Sequence, residues 1–283
     1  MEAPPKNWWN IPAVRRRWNQ KITGKEEKSP VAWVIERWLT GEGYRALSPG
    51  CGTGHREIEW AKRGKFSRID AFDLSEHRIE FARQQAVEAG MNRVLRFFTA
   101  NVNQVEFPPG SYDVIIVEDA LHHFAPMETV VKRFHSWLKP GGLLVVNEFV
   151  GPNRFQWTRE QLELATALLR LLPEHFRRYY RSGNVKQRVY RPGLLRMVLQ
   201  DPSEAVQSAV ILPTIHRYFT VEAFRPYGGT LLALVLNGIA HHFVEDTPEV
   251  RHWLELLFFV EDYFLEQAGL PSNYVFLVAR KTN

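Results

Sequence analysis

The chain has 283 residues, 45% of them hydrophobic and 24% charged, which is enough apolar mass for one large domain, alone or with an appended cap, and excludes a disordered chain. Cys51 is the only cysteine, so an intrachain disulfide and a cysteine-rich zinc site are excluded and a cytoplasmic setting is expected. Lys plus Arg exceed Asp plus Glu by 36 to 31, a formal charge of +5 that suits an anionic partner without amounting to a basic tail.

In chain order, the start MEAPPKNWWN lacks the basic-then-apolar pattern of a secretory signal. Trp8, Trp9 and Trp18 flank Arg15, Arg16 and Arg17. Interleaved indoles and guanidiniums can clamp a flat or anionic ligand, and the plainer reading is that the tryptophans pin a lid helix, residues 1–40, over the ligand of the core. From Tyr44 to about Asn147 the pattern is β-α-β-α-β-β-α-β, which predicts a parallel sheet with helices on its faces over residues 41–151. Ser75 and Glu76 open the second helix of this run, Gly90 closes it, and Pro140-Gly141-Gly142 turns the third into a strand.

Beyond Gly151 the pattern turns helical. Thr158 to Leu172 repeats apolar residues at helical spacing, and shorter pieces broken by Gly183, Pro192 and Pro202 complete a cap over residues 152–217. Within it Arg177, Arg178, Arg181, Lys186, Arg188 and Arg191 fall in fifteen positions, read as a solvated face or, more sharply, as an anion site. Sheet character returns at Tyr218 to Phe224, helices are expected over Thr230 to Phe243 and Glu249 to Ala268, and Asn273 to Arg280 reads as an antiparallel closing strand. Residues 218–283 thus close the core around a helical insertion, 230–269, and the helical parts are expected to form a cap rather than a second core. The longest apolar stretch, Leu231 to Ala240, holds Asn237 and Gly238 and is too short to span a bilayer, so a soluble protein with no membrane span is expected.

The sharpest signal is ALSPGCGTGH. Gly50, Gly52 and Gly54 follow the first strand, where glycines let the backbone approach a ligand at the carboxyl edge of the sheet. Asp73, ending the second strand, can accept from both hydroxyls of a ribose, and Asn101, after the third, can accept from an adenine amine. A dinucleotide fingerprint needs Gly or Ala at position 55, where His55 stands, so the G-x-G-x-G spacing favours an adenosine cofactor with no pyrophosphate.

At this point the chain resembles the class I S-adenosylmethionine-dependent methyltransferases, with ALSPGCGTG, IDAFDLS, TANV, YDVIIVEDALHHF and LKPGGLLVVNEF in the family's order. The resemblance covers Tyr44 to Gly151 and the two closing strands. It implies an α/β fold: a Rossmann-like, seven-stranded, mostly parallel sheet with an antiparallel last strand, plus a helical cap. It implies S-adenosyl-L-methionine as cofactor and S-adenosyl-L-homocysteine as product. By that resemblance Gly50, Cys51, Gly52 and Gly54 wrap the methionine moiety, Asp73 holds the ribose, Leu74 packs on adenine, Asn101 and Val102 read its edge, and Glu118 lies near the sulfonium. The family often has an acidic residue two before the first glycine; here that residue is Ser48.

Methyl transfer from a sulfonium is an in-line displacement, and a hydroxyl acceptor also needs a base. His122 and His123 stand at the carboxyl edge of the sheet, and His123 is the candidate base, against a packing role for both. Glu148 ends the fifth strand, either facing the acceptor pocket or capping the helix that follows. His216, Tyr218, Tyr179, Tyr180 and the His241-His242 pair are further candidates for the pocket lining. Adjacent histidines without a carboxylate cluster give no metal site. The chain lacks the motifs of the resembled family's base-amine and cytosine-C5 subclasses, which leaves a small-molecule acceptor, partly hydrophobic or anionic, with oxygen the default. The rivals are an RNA methyltransferase or RNA-binding protein using the Arg177 to Arg191 stretch, and a non-catalytic scaffold holding S-adenosylhomocysteine. The apolar helices near the C-terminus fit a monomer's core or a homodimer face.

Overall fold

The computed structural model describes residues 7–282; the first six residues of the expected lid lie outside it. Two helices open the described chain, α1 (Pro12–Thr23) and α2 (Pro30–Trp38). Each starts with Pro in its first turn, where the missing N–H is no loss, and the Ser29 hydroxyl accepts from the Ala32 N–H to cap α2. The alternating region then gives β1 (Tyr44–Pro49), α3 (His55–Ala61), β2 (Phe66–Asp73), α4 (Glu76–Glu88), β3 (Leu95–Thr99), β4 (Tyr112–Glu118), α5 (Met127–Trp137) and β5 (Leu138–Phe149). Ser75 caps α4 as the sequence predicts. Val114 to Val117 of β4 are fully buried, the continuous apolar run of a strand covered on both faces.

The remaining elements are α6 (Arg159–Leu171), α7 (Leu194–Gln200), α8 (Ile211–Tyr218), β6 (Thr220–Gly228), α9 (Leu232–Leu236), α10 (Pro248–Glu266) and β7 (Tyr274–Arg280). The sheet has seven strands in the order β3-β2-β1-β4-β5-β7-β6, parallel except for β7, which runs antiparallel to both its neighbours. Strand order reverses between β1 and β4, so the loops leaving these strands face one crevice at the carboxyl edge, where open α/β sheets bind ligands.

Three expectations need correction. The sixth strand starts at Thr220 rather than Tyr218, because Tyr218 completes α8 and its hydroxyl donates to Glu128 Oε1 at 2.6 Å. The helix expected over Thr230 to Phe243 breaks into α9 and a single turn, Ala240–Phe243. Gly238 takes φ +85° there, and a β-carbon on it would come within 2.8 Å of the Tyr179 ring. The helical parts also bury an apolar cluster of their own, centred on Trp8, Leu169, Leu232, Phe243 and Leu257 and joined to the sheet by Phe149 and Tyr274. Trp8 packs edge-on to Trp18 at 4.8 Å, while Arg17 pairs with Asp262 at 2.7 Å and Glu261 at 3.3 Å, so its guanidinium is taken up inside the fold.

Candidate active site

The three loop glycines all have positive φ, but they serve different ends. A β-carbon on Gly54 would lie 2.7 Å from Phe97 and 2.9 Å from Ala82, so this glycine lets α3 and α4 close on the sheet. One on Gly50 would lie 2.7 Å from the Ala120 methyl and 3.0 Å from the Phe124 ring, so the loop packs directly on the turn that follows β4. Gly52 meets nothing within 4 Å; its surface is open to a ligand. Cys51 is buried, and burial, with Glu57 and Asp73 nearby, pushes its thiol far up, which removes it as a nucleophile.

Asp73 ends β2 beside the loop, with Oδ2 accepting from the Gly52 N–H at 3.0 Å and Oδ1 from the Ser75 N–H at 2.9 Å. Each oxygen keeps a second lone pair. Leu74, 70% exposed, is an apolar surface beside it. Asn101 accepts from the Asn103 N–H at 2.9 Å, and Val102 is buried against the aromatic cluster under β2 and β4. Glu118 is placed at the end of β4, but its carboxylate is engaged: it accepts from Arg56 at 2.9 Å, Trp60 at 2.8 Å and Asn147 at 3.3 Å. Arg56 also pairs with Asp119, at 2.5 Å.

Sequence reasoning missed Glu57. It is buried, its Oε1 accepts the Ser48 hydroxyl at 2.6 Å, and its Oε2 has no hydrogen-bond partner among the described residues. Burial raises its carboxyl to about 7, against the Ser48 hydrogen bond. The acid absent at position 48 is thus present on the neighbouring helix, hydrogen-bonded to Ser48 itself. A buried carboxylate oxygen with no donor fits a site that takes an ammonium group.

Across the loop stands the 3₁₀ turn Leu121–His123. Glu148, fully buried, accepts from the backbone N–H groups of Ala120 at 3.0 Å, Leu121 at 2.5 Å and Phe149 at 2.7 Å, and bonds His122 Nδ1. Glu148 does not cap the helix after β5, where Thr158 is the cap; its carboxylate anchors the histidine turn. Although burial opposes the charge on His122, Glu148, backed by Glu204 at 3.4 Å, outweighs it and raises the imidazole to about 10. His122 is therefore a structural cation.

His123 is its opposite. Burial and the neighbouring His122 charge lower it, so it stays neutral at pH 7. Its Nδ1 lies 3.1 Å from Ser203 Oγ, which in turn lies 2.6 Å from Asp201 Oδ1. The one hydroxyl hydrogen of Ser203 goes to the carboxylate, so Ser203 Oγ accepts from His123 Nδ1–H and Nε2 keeps its lone pair. Asp201, Ser203 and Glu204 lie about eighty positions from the histidines and were not singled out from sequence. The fold brings them together because the backbone carbonyls of Asp201, Pro202 and Glu204 all accept from Arg154. The Val206 N–H then donates to the His122 carbonyl.

Among the described residues His122, His123 and Glu204 offer three ligand atoms within 4.8 Å of one another. Two ligands on one cation stand about 4.2 Å apart at most, so these side chains would have to close, and His122 is already bonded to Glu148. Of the remaining lining candidates, Tyr218 bonds Glu128 and His242 the Arg178 carbonyl, His216 is exposed on α8, the Tyr179 ring lies against Gly238, and Tyr180 packs edge-on to His241 at 5.4 Å.

Residues 47–146 match the family described as methyltransferase domain. Phosphoethanolamine N-methyltransferase 3 of Arabidopsis thaliana is 30% identical over 107 residues, 38% of this chain and 21% of that protein. Malonyl-acyl-carrier-protein O-methyltransferase of Halalkalibacterium halodurans is 30% identical over 181 residues, 63% of this chain and 62% of that protein. The chain thus spans between about a fifth and less than two thirds of these relatives. Among solved structures, geranyl diphosphate C-methyltransferase from Streptomyces coelicolor A3(2), bound to S-adenosyl-L-homocysteine, superposes with a TM-score of 0.53 at 14% identity, over 89% of this chain and 79% of that one, a likeness of fold. Residues 47–146, the core that carries the glycine loop and the first strands of the sheet, thus form a methyltransferase domain.

Proposed function

We propose that the chain transfers a methyl group from S-adenosylmethionine to the oxygen of a small-molecule acceptor, with His123 as the base. The observation that carries this reading is the contact of Gly50 with Ala120 and Phe124, which sets the neutral imidazole of His123 on the turn packed against the cofactor loop. Bound there, the cofactor supplies an electrophilic methyl on a sulfonium. Gly50, Cys51, Gly52 and Gly54 would hold its methionine part with Glu57 facing the ammonium, Asp73 the ribose, Leu74, Asn101 and Val102 the adenine. Glu118, held by Arg56, Trp60 and Asn147, would lie near the sulfonium end. His123 Nε2 takes the acceptor's proton as its oxygen attacks, and Ser203 and Asp201 hold the ring in the tautomer that leaves Nε2 free. The two relatives named above carry nitrogen and oxygen methylation in their names, so the acceptor atom here rests on the presence of a base.

Mass spectrometry of small molecules released on denaturing the purified protein tests the cofactor. S-adenosylmethionine or its product is the expected mass, and a nicotinamide or flavin nucleotide would overturn the reading. For the base, His123→Ala is expected to lower kcat by about 10²- to 10⁴-fold. Asp201→Asn is expected to lower it less, because Asp201 acts through the ring rather than on the substrate, and to move the acid limb of the pH profile to lower pH, because the Asp201 charge holds the imidazole up. Turnover of His123→Ala unchanged across pH would end the proposal for the base while leaving the cofactor site intact.

A further inference from the structure

The basic stretch singled out in the sequence plays no part in the site described so far. Over residues 177–200 there are seven Lys or Arg and no Asp or Glu. Arg178 pairs with Glu174, and Lys186 is buried on the carbonyls of Leu234, Val235 and Asn237, whereas Arg181, Arg188, Arg191 and Arg196 have no carboxylate partner among the described residues. The same stretch exposes large apolar side chains. In α7 only Met197 is buried, while Leu195 is 75% exposed and Leu199 76%. Leu194, Val198 and the ring of Tyr190, over which Arg188 lies at 4.9 Å, are exposed beside them. Four exposed aliphatic side chains on one seven-residue helix, in a stretch of guanidiniums without carboxylate partners, are costly in water, since monomeric surfaces rarely leave such apolar groups together.

We infer that residues 178–200 dock on the surface of an anionic lipid bilayer. The charge complementarity is one-sided, with exposed arginines and no acid within residues 177–200, and exposed arginine, tyrosine and leucine are the side chains that suit the headgroup, interfacial and acyl regions of a bilayer. A single-stranded nucleic acid would satisfy the cations but would leave the leucines of α7 with nothing to stack on. No helix among the described residues is long and apolar enough to cross a membrane, so this contact is interfacial. Chain continuity ties the patch to the chemistry: α7 ends at Gln200, and the next residues, Asp201, Ser203 and Glu204, are those that meet His123 and His122. Resting on the proposed methyl transfer, the docked helix sets the acceptor mouth at the bilayer, so the acceptor class is an amphiphile resident in that bilayer.

The test is flotation of the full chain with vesicles of phosphatidylcholine containing about one third phosphatidylglycerol, against phosphatidylcholine alone. It needs neither cofactor nor turnover, so its failure and the failure of the methyl-transfer reading are separable. Binding is expected to prefer the anionic vesicles at least about tenfold and to weaken with salt. Arg181→Gln with Arg196→Gln is expected to lower affinity about 20-fold, and Leu195→Ser with Leu199→Ser about tenfold or more, with circular dichroism and S-adenosylmethionine affinity unchanged because these side chains are exposed. Binding that ignores the leucine changes would overturn the bilayer in favour of a purely electrostatic partner. Single-stranded RNA that displaces the vesicles and binds the leucine variant equally well would identify that partner. No binding to anionic vesicles at low salt would overturn the inference outright.

Discussion

The two sides of the active-site crevice are built on different principles. On the sheet side nearly every polar group is engaged within the sheet and the turns beside it: Glu118 by Arg56, Trp60 and Asn147, and Glu148 by three backbone N–H groups and His122. On the cap side Asp201, Ser203 and Glu204 sit on an irregular segment between α7 and α8, clipped through backbone carbonyls by one arginine. Two adjacent histidines straddle this divide. His122 belongs to the rigid side and carries charge; His123 is held by the cap and stays neutral. On the proposed function, such a crevice would keep its cofactor face fixed while the acceptor face could be rebuilt by altering the cap, as one fold can host many activities.

The largest test of the contrast is Glu148→Ala. It leaves the Ala120 and Leu121 N–H groups without their acceptor and strips a buried partner from the His122 cation, so unfolding in urea is expected to become easier by about 3–5 kcal/mol. Asp201→Ala removes a cap-side group that is more exposed and is expected to cost about 1 kcal/mol or less. If the two variants lose equal stability, the sheet side is not the more rigid one.

A smaller effect comes from pH. His122 is raised from 6.5 to about 10 in the fold, so its contribution is complete below about 6.5 and is lost as pH climbs through 10. Stability is therefore expected to fall by about 1–3 kcal/mol between pH 7 and pH 10, and His122→Asn is expected to flatten that slope. A slope in the variant as steep as in the parent would place the charge elsewhere. His123, lowered rather than raised, contributes nothing in that alkaline window.

How far these features were legible in the sequence follows the same divide. The glycine loop, the Ser75 cap and the acid ending β2 are set by neighbours a few positions away, and each appears where its local spacing puts it. The cap-side groups come from a Asp-Pro-Ser-Glu run about eighty residues after the histidines, and no periodicity links the two; its one signal was a pair of acids in an otherwise basic stretch. Glu148 was found but its partners were not, because the end of a strand says nothing about which loop its side chain turns toward. The helix expected over 230–243 failed at Gly238, where close packing on Tyr179 overrode a regular apolar period.

Glu57 sharpens the comparison at its finest, being a buried carboxylate on the sheet side with one oxygen that has no hydrogen-bond partner among the described residues. Its carboxyl is raised from 4.5 to about 7, so its own effect on stability is most favourable below 4.5 and fades as pH rises through 7. Cofactor binding runs the other way, since the ammonium of S-adenosylmethionine is attracted by the ionised carboxylate and itself loses its proton near pH 8. Affinity measured by calorimetry is expected to rise from pH 6, to peak between about 7 and 8, and then to decline. Ser48→Ala removes the hydrogen bond that favours the ionised form, so the rise should move to higher pH and affinity at pH 7 should drop by about two- to fivefold. The fold should be little altered, because the change deletes one small hydroxyl. An affinity flat from pH 6 to 8 in both proteins would mean that Glu57 faces no ammonium, and that its unpaired oxygen serves only the packing of α3 against β1.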